Sequence, residues 1–494
     1  MRKKKFVLTT ISSLGYQVTA LVCGFILPRV ILLYFGSAIN GLVNSVAQFL
    51  SIITFLECGV GVVIQSALYK PLADSDNIAI SKILASGEKF FRKIAMILLI
   101  YVVILMCVYP FFNQEFSWIF TATLIAAISI SSFAQYYFGV VDRILLYADQ
   151  KGYIQYSAQI VTLVVNTIAC VILIKMGCGI HFVKLTTSLI YLVRPFFLRW
   201  YVSRNYRINR KIKLKEEPLK QKWNGMAQHV AAIILTSTDI IILTLFSNLA
   251  NVSIYSVYNL VVNGIRQVFT ALNSGFHSLI GELWAKQQME ELNEVFGMME
   301  WFIHTATTFI FGCTFCLLIP FVEVYTMGVK DANYYQPLFA AIITIAWAFN
   351  CLSVPYQAMI IAAGHYKQTQ VYFVISATMN LSISVLFVYK FGLVGVAIGT
   401  LVAMVFQTMW MVIYCTRNLN HWPITCFIKQ MFVDVVTFIC GICVFRLINT
   451  SCQSYIAWII LAIKCVVIWF IISVVINELT YKQFLHRTIK KVIK

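Results

Sequence analysis

Apolar residues run in long unbroken stretches along this chain, and short polar segments separate them. Fourteen stretches each approach the ~20 residues that cross a bilayer as a helix. They are Phe6–Leu33, Gly41–Ala67, Ile94–Phe112, Ser117–Val140, Tyr153–Ile174, Phe182–Val202, Met226–Phe246, Val252–Leu279, Trp301–Phe321, Pro337–Ala362, Val371–Val388, Leu393–Cys415, Phe427–Leu447 and Tyr455–Ile476. Continuous runs predict helices, whereas a membrane barrel needs ~10-residue alternating segments. The expected fold class is an all-α polytopic membrane protein with about 14 transmembrane helices.

Basic residues alternate between the intervening segments. With both termini placed in the cytoplasm, about 30 of the 38 Lys and Arg fall on inside segments. Lys175, Lys184, Lys330, Lys390 and Arg446 fall outside, and Arg29, Arg266 and Lys464 lie within spans. A wrong span count would shift this pattern midway, and no shift occurs. The net charge of +19 then faces the anionic inner leaflet and its lipids, with no nucleic-acid partner required. The densest patch, Tyr206–Lys222, fits an orientation signal or a landing zone for phosphate-bearing lipid.

Composition agrees. The chain is 60% hydrophobic and 12% charged, with mean hydropathy +0.82, against about 25% charged residues in soluble proteins. No run of soluble composition predicts an extramembrane domain, and the first apolar run is too long for a signal-peptide core. Cys313-Thr-Phe-Cys316 and Cys440-Gly-Ile-Cys443 have C-x-x-C spacing but lie in predicted spans without a neighbouring His or acid. They read as small hydrophobes, not as a metal or redox site.

The chain repeats itself weakly. Tyr153-Ile-Gln155 matches Tyr366-Lys-Gln368, Asn166 falls opposite Asn380, and Lys175-Met-Gly177 falls opposite Lys390-Phe-Gly392. Spans 1–6 and 7–12 therefore read as two copies with the same orientation. The expectation is two six-helix lobes in a pseudo-twofold arrangement plus two C-terminal helices, with a substrate path between the lobes. The lobes are expected at 1–205 and 225–416, joined by a basic linker at 206–224, with 417–494 appended.

Polar residues recur at helical spacing inside two matched spans. Tyr255, Asn259, Asn263, Arg266, Thr270 and Asn273 form one stripe, and Asn40, Asn44, Gln48 and Ser51 form a shorter one. A polar stripe is costly against lipid, so both predict a watered interior, with interhelical hydrogen bonding as the alternative. Arg266 lies mid-span and fits an anion contact or a structural ion pair. Arg29 follows Pro28 and fits an anion contact or a snorkelling side chain. Asp239 is the deep acid of span 7, with Gln228 and Ala232 on its face and Thr236 nearby. It must be protonated, paired or bound to a cation. Asn380 and Ser384 of span 11 offer oxygens suited to a hard cation such as Na+, and a salt bridge to Arg266 is the other option. Glu57 is a weaker candidate. Lys464 and Asp434 read as structural.

Leu27-Pro-Arg-Val-Ile31, Ser66-Ala-Leu-Tyr-Lys-Pro-Leu-Ala-Asp74, Tyr147-Ala-Asp-Gln-Lys-Gly-Tyr153 and Val252-Ser-Ile-Tyr-Ser-Val-Tyr258 carry a resemblance over most of the chain. It is to bacterial polysaccharide repeat-unit flippases, the O-antigen and capsule flippases of the multidrug/oligosaccharidyl-lipid/polysaccharide exporter superfamily. The resemblance implies a non-enzymatic flippase in the bacterial cytoplasmic membrane. Its substrate would be undecaprenyl-diphosphate-linked oligosaccharide, moved by alternating access, with a polysaccharide polymerase or glycosyltransferase complex as partner. Related lipid II flippases imply cationic cavity side chains, matched by Arg29 and Arg266, and a sodium site, matched by Asp239 and Asn380. Ser384 stands where a second carboxylate is expected, which leaves Na+ or H+ coupling open. No cofactor is implied. The rivals are a drug/cation exporter of the same superfamily and a membrane polysaccharide polymerase.

Overall fold

The computed structural model describes residues 2–57, 59–210, 212, 226–448 and 452–493, with the backbone alone for 2–6, 226–230, 232, 236, 270–278 and 483–493. Most of the Tyr206–Lys222 patch lies outside the described residues. So do the side chains of Gln228, Ala232, Thr236, Thr270 and Asn273, and the basic side chains that open the chain and those from residue 483 on.

Among the described residues all regular structure is helical, and ten helices are long and apolar enough to cross a membrane. One of the ten, Val7–Glu57, covers the first predicted span and the first part of the second. Three more predicted spans, beginning at Phe182, Met226 and Val252, are helical without joining the ten, because polar and basic residues dilute them or too little of them is described. Large apolar side chains such as Ile11, Val18, Ile100, Phe432, Ile459 and Phe470 stand exposed on helix after helix. Only lipid accommodates so much apolar surface. The chain is a multi-pass membrane protein.

The first helix, α1, runs Arg2–Ser51. Straight, it would rise ~75 Å, far beyond the ~30 Å hydrocarbon core. Gly36 divides it, with φ 79° and ψ 179°, a backbone conformation essentially restricted to glycine. The predicted second span is itself broken: a 3-10 turn, Ile52–Glu57, follows Ser51, and Gly59 at φ 73° precedes α2, Val60–Ala73. Gly59, held in the left-handed conformation, accounts for the break, since glycine takes that conformation readily and weakens helix.

Helix α3, Asn77–Phe112, begins well before its predicted span because Asp76 caps it. The Asp76 carboxylate accepts from the amides of Ile78 and Ala79 at 2.9 Å. Its first half carries Lys82, Lys89, Arg92 and Lys93 and stands clear of the apolar stretch. Next, α4 (Trp118–Ala134), a π-helical turn (Gln135–Gly139) and α5 (Val140–Ala148) form one continuous rod, longer than the predicted Ser117–Val140. Helices α6 (Gly152–Lys175) and α7 (Ile180–Asn205) complete this half.

The second half holds α8 (Met226–Phe246), α9 (Leu249–Ala285), α10 (Met289–Tyr325), α11 (Pro337–Leu352), α12 (Val354–Ala362), α13 (Tyr366–Phe391), α14 (Leu393–Asn418), α15 (Ile424–Phe445) and α16 (Tyr455–Ile493). The chain forms two compact units. The first comprises Met1–Val230 with Asn248–Ser253, and the second Ala231–Ser247 with Ile254–Lys494. The start of α9 joins the first unit for polar reasons. Asn40 donates to the Ser253 hydroxyl at 2.7 Å, and the Leu249 amide donates to Glu115 at 3.3 Å. Gly41 sits so close to the Leu249 carbonyl that a side chain there would collide with it.

In the second unit α15 and α16 are not merely appended. Trp469 of α16 wedges against Gly312 of α10 and Gly441 of α15, where any Cβ would strike its ring. Trp301 of α10 donates to Asn477 at 2.7 Å. Asp434 of α15 is tied to α10. It takes His304 Nδ1 at 2.6 Å and the Thr308 hydroxyl at 2.7 Å, both from α10, and Lys464 is exposed.

Gly36→Ala is expected to cost about 1–3 kcal/mol through the forced backbone, read as a lower thermal unfolding midpoint in detergent. Gly15→Ala is the control. It sits in regular helix with only Ile160 at 3.7 Å from an added Cβ, and it is expected to be neutral or stabilising.

Candidate functional site

The second unit builds its main polar cluster where α8, α9, α13 and α14 meet. Helices α13 and α14 approach closely because α14 carries Gly395-Val-Ala-Ile-Gly399. An added Cβ at Gly395 would collide with the Phe387 carbonyl, and one at Gly399 with Ser384. This contact brings Thr400 beside Asn380, whose amide donates to the Thr400 hydroxyl at 3.1 Å. Asp239 of α8, 4% exposed, lies against them. Its Oδ2 accepts from the Tyr255 hydroxyl at 2.8 Å and from Thr400 at 2.9 Å. Its Oδ1 is buried with no hydrogen-bond partner among the described residues. Thr238 donates to Asn380 Oδ1 at 3.2 Å. Ser384 turns to the Val396 carbonyl at 3.3 Å, which also lies 3.2 Å from Thr400.

The cluster is therefore a buried carboxylate among neutral oxygens, a donor set suited to a hard cation or a proton. Tyr255, from the polar stripe of α9, turns its hydroxyl to Asp239. Sequence reasoning missed Thr400 and Val396. The G-x-x-x-G spacing one residue before Thr400 was the signal that marks this close helix contact. Among the described residues, no three His, Cys, Asp or Glu converge as a metal site.

Farther along α9, the guanidinium of Arg266 lies 5.0 Å from the centre of the Trp347 ring of α11, a cation–π contact. Asn259 is half-buried, and its side-chain carbonyl has no hydrogen-bond partner. Asn263 is half-buried on the same helix. In the first unit Arg29 is half-buried on α1. Asn44 donates to the Asn40 carbonyl at 2.8 Å, and Gln48 donates to Ser51 at 2.9 Å. That shorter stripe thus places hydrogen bonds along its own helix. Glu57 accepts from Tyr136 of the π-helical turn.

The first unit also holds a charge network that the sequence did not reveal. Glu88 of α3 accepts from Arg199 of α7 at 2.8 Å and pairs with Arg210, and Arg92 lies 3.4 Å away. Asp142 of α5 is fully buried and takes Arg210 at 2.5 Å and Arg199 at 3.7 Å. Two acids and two arginines thus bind three helices to the segment after α7. Its members lie far apart in sequence, so no local motif marks it.

No family profile and no curated protein matches the chain. Solved structures do. Lipid II flippase MurJ in an inward closed conformation aligns over 97% of this chain and 100% of its own, with TM-score 0.73 and 13% identity. An inward-facing multidrug resistance MATE family transporter aligns over 81% and 94%, with TM-score 0.58 and 14% identity. A mutant of the Vibrio cholerae MATE transporter VcmN aligns over 85% and 98%, with TM-score 0.60 and 13% identity. The chain shares the fold of these solved structures.

Asp142→Asn is expected to destabilise the protein by about 1.5–3 kcal/mol, because it removes one of the two acids that share Arg199 and Arg210 and leaves Glu88 alone to balance both. The fall in unfolding midpoint should exceed that of Asp74→Asn, an exposed acid.

Proposed function

We propose that this protein is a flippase for polyprenyl-diphosphate-linked oligosaccharide, working by alternating access in the bacterial cytoplasmic membrane. The observation that carries the reading is the fold likeness to a lipid II flippase over essentially the whole of both chains. Arg266 supports it. A guanidinium held on an aromatic face within a membrane helix is oriented to meet diphosphate oxygens. Arg29 is the second candidate cation. Asn259, with an unpartnered buried carbonyl, and Asn263 suit sugar hydroxyls, as do Asn44 and Gln48 once their intrahelical bonds open. The lipid tail stays in the bilayer, and membrane lipid is the medium through which substrate arrives.

An inside-negative potential favours outward movement of an anion by about 2.3 kcal/mol per charge per 100 mV. Asp239 adds a coupling route. Its free Oδ1, with Thr400, Asn380 and the Val396 carbonyl near, would hold Na+ or a proton, and Ser384 supplies a further hydroxyl beside Val396. This feature also supports a second reading, a cation-coupled drug exporter, since MATE transporters share the fold. The cation at Arg266 favours the anionic substrate.

The test uses proteoliposomes carrying fluorescent polyprenyl-diphosphate oligosaccharide, followed by an impermeant quencher. Arg266→Ala is expected to slow transfer by about tenfold or more, the worth of one charged hydrogen bond, while Lys464→Ala leaves it within about twofold. Equal loss in both, or cationic dye transport without lipid transfer, overturns the reading. Asp239→Asn is expected to slow transport and flatten its dependence on Na+ or pH. Retained ion dependence would make Asp239 structural.

A further inference from the structure

A separate polar chamber lies wholly within the first unit. It is a cavity of about 300 Å³ between the π-helical turn, α6 and α7. Arg143 and Arg194 line it, with Gln135, Gln155, Gln159 and Tyr191. No carboxylate is found among the described residues lining it. The nearby acids Glu88 and Asp142 are already committed to Arg199 and Arg210.

The turn forms one wall of the chamber, through Gln135 and Gly139. Between Gln135 and Gly139 the backbone bonds five residues apart, from the Val140 amide to the Gln135 carbonyl. That geometry is rare and recurs at functional sites. Gly139 lets α7 close below it, since an added Cβ would lie 2.9 Å from Pro195.

Arg194 is held in position. Its guanidinium lies 4.0 Å from the centre of the Tyr191 ring, its Nε donates to the Thr162 hydroxyl, and its Nη2 donates to the Gln159 backbone carbonyl at 3.5 Å. These bonds occupy two of its five N–H donors. It lies about five residues, or ~7.5 Å, along α7 from Arg199, and its own hydrogen bonds hold its charge inside the bundle. Arg143 makes no hydrogen bond or ion pair with any described residue. The sequence pattern had placed both arginines in cytoplasmic segments. The structure places them within helices.

Two side chains ask for the opposite chemistry. Gln155, 4% exposed, and Gln159 each keep a buried side-chain carbonyl without a partner. Unused guanidinium donors suit anionic oxygens, and orphaned carbonyls suit hydroxyl donors. One small group offers both, a phosphate that carries hydroxyls.

We propose that this chamber binds a phosphate monoester or inorganic phosphate, held by Arg143 and Arg194 and oriented by Gln155 and Gln159. The site is distinct from Arg266 and Arg29 and stands independently of the transport reading.

The test is thermal unfolding of the full chain in nanodiscs, followed by tryptophan fluorescence. Inorganic phosphate and glucose 1-phosphate are titrated against chloride at matched ionic strength. Both phosphates are expected to raise the midpoint saturably, as a ligand that binds only the folded state does, and chloride is not. Tighter response to glucose 1-phosphate assigns the monoester, and equal response assigns free phosphate. Arg143→Gln should raise the half-saturating concentration by about tenfold or more, and Arg266→Gln should leave it unchanged. Arg143 is the first position to vary because it makes no hydrogen bond or ion pair with another described residue. Arg194→Lys, which keeps the charge but not the planar fork, should weaken binding in the same direction. Absence of a phosphate-specific shift, a shift unchanged in Arg143→Gln, or equal loss in Arg266→Gln overturns the proposal.

Discussion

A bilayer core offers no water, so every polar group within it must find its partner in the protein. The rest of this structure depends on that constraint. It makes the regular structure of the described residues helical, and it governs their buried polar side chains. Tyr109 donates to Ser45 at 2.7 Å, and Ser188 donates to the Ala127 carbonyl at 2.6 Å. Hydroxyls such as Thr244 and Thr344 return to the carbonyl four residues earlier in their own helices. The buried acids obey the same rule, each held by named donors.

The two units satisfy their acids differently. In the first, Glu88 and Asp142 are met by arginines, and the ion pairs tie helices together at the basic end of the bundle. In the second, Asp239 is met by a tyrosine and a threonine. Glu300 is met by Tyr356 and by Trp422 at 2.7 Å. A carboxylate paired with a cation is neutralised by it. One surrounded by neutral donors keeps its charge unbalanced, and only a proton or a bound cation restores neutrality. That difference is why ion coupling is sought at Asp239 and structural stability at Asp142.

Glycines decide where these partners can meet. The missing side chains at Gly395 and Gly399 let α13 and α14 close until Asn380 and Thr400 touch. Gly312 and Gly441 make the notch for Trp469. Small residues serve this role in membranes because packing, not exclusion of water, drives helix association there.

Apolar run length and the alternation of basic segments made the helical, multi-pass character legible in the sequence, because lipid thickness and lipid charge act on each stretch alone. Mid-span polar residues also marked Asp239, Asn380 and Arg266, since any polar group at that depth needs a reason. Which groups share a site was not legible. Tyr255 and Asn259 lie one turn apart on α9, yet Tyr255 serves Asp239. Asp434 pairs with His304, and Arg143 and Arg194 enter one chamber although their segments read as cytoplasmic. Helix breaks at Gly36 and the π-helical turn, together with close glycine contacts, set those pairings. They act between segments far apart in the chain, so only the tertiary structure could decide them.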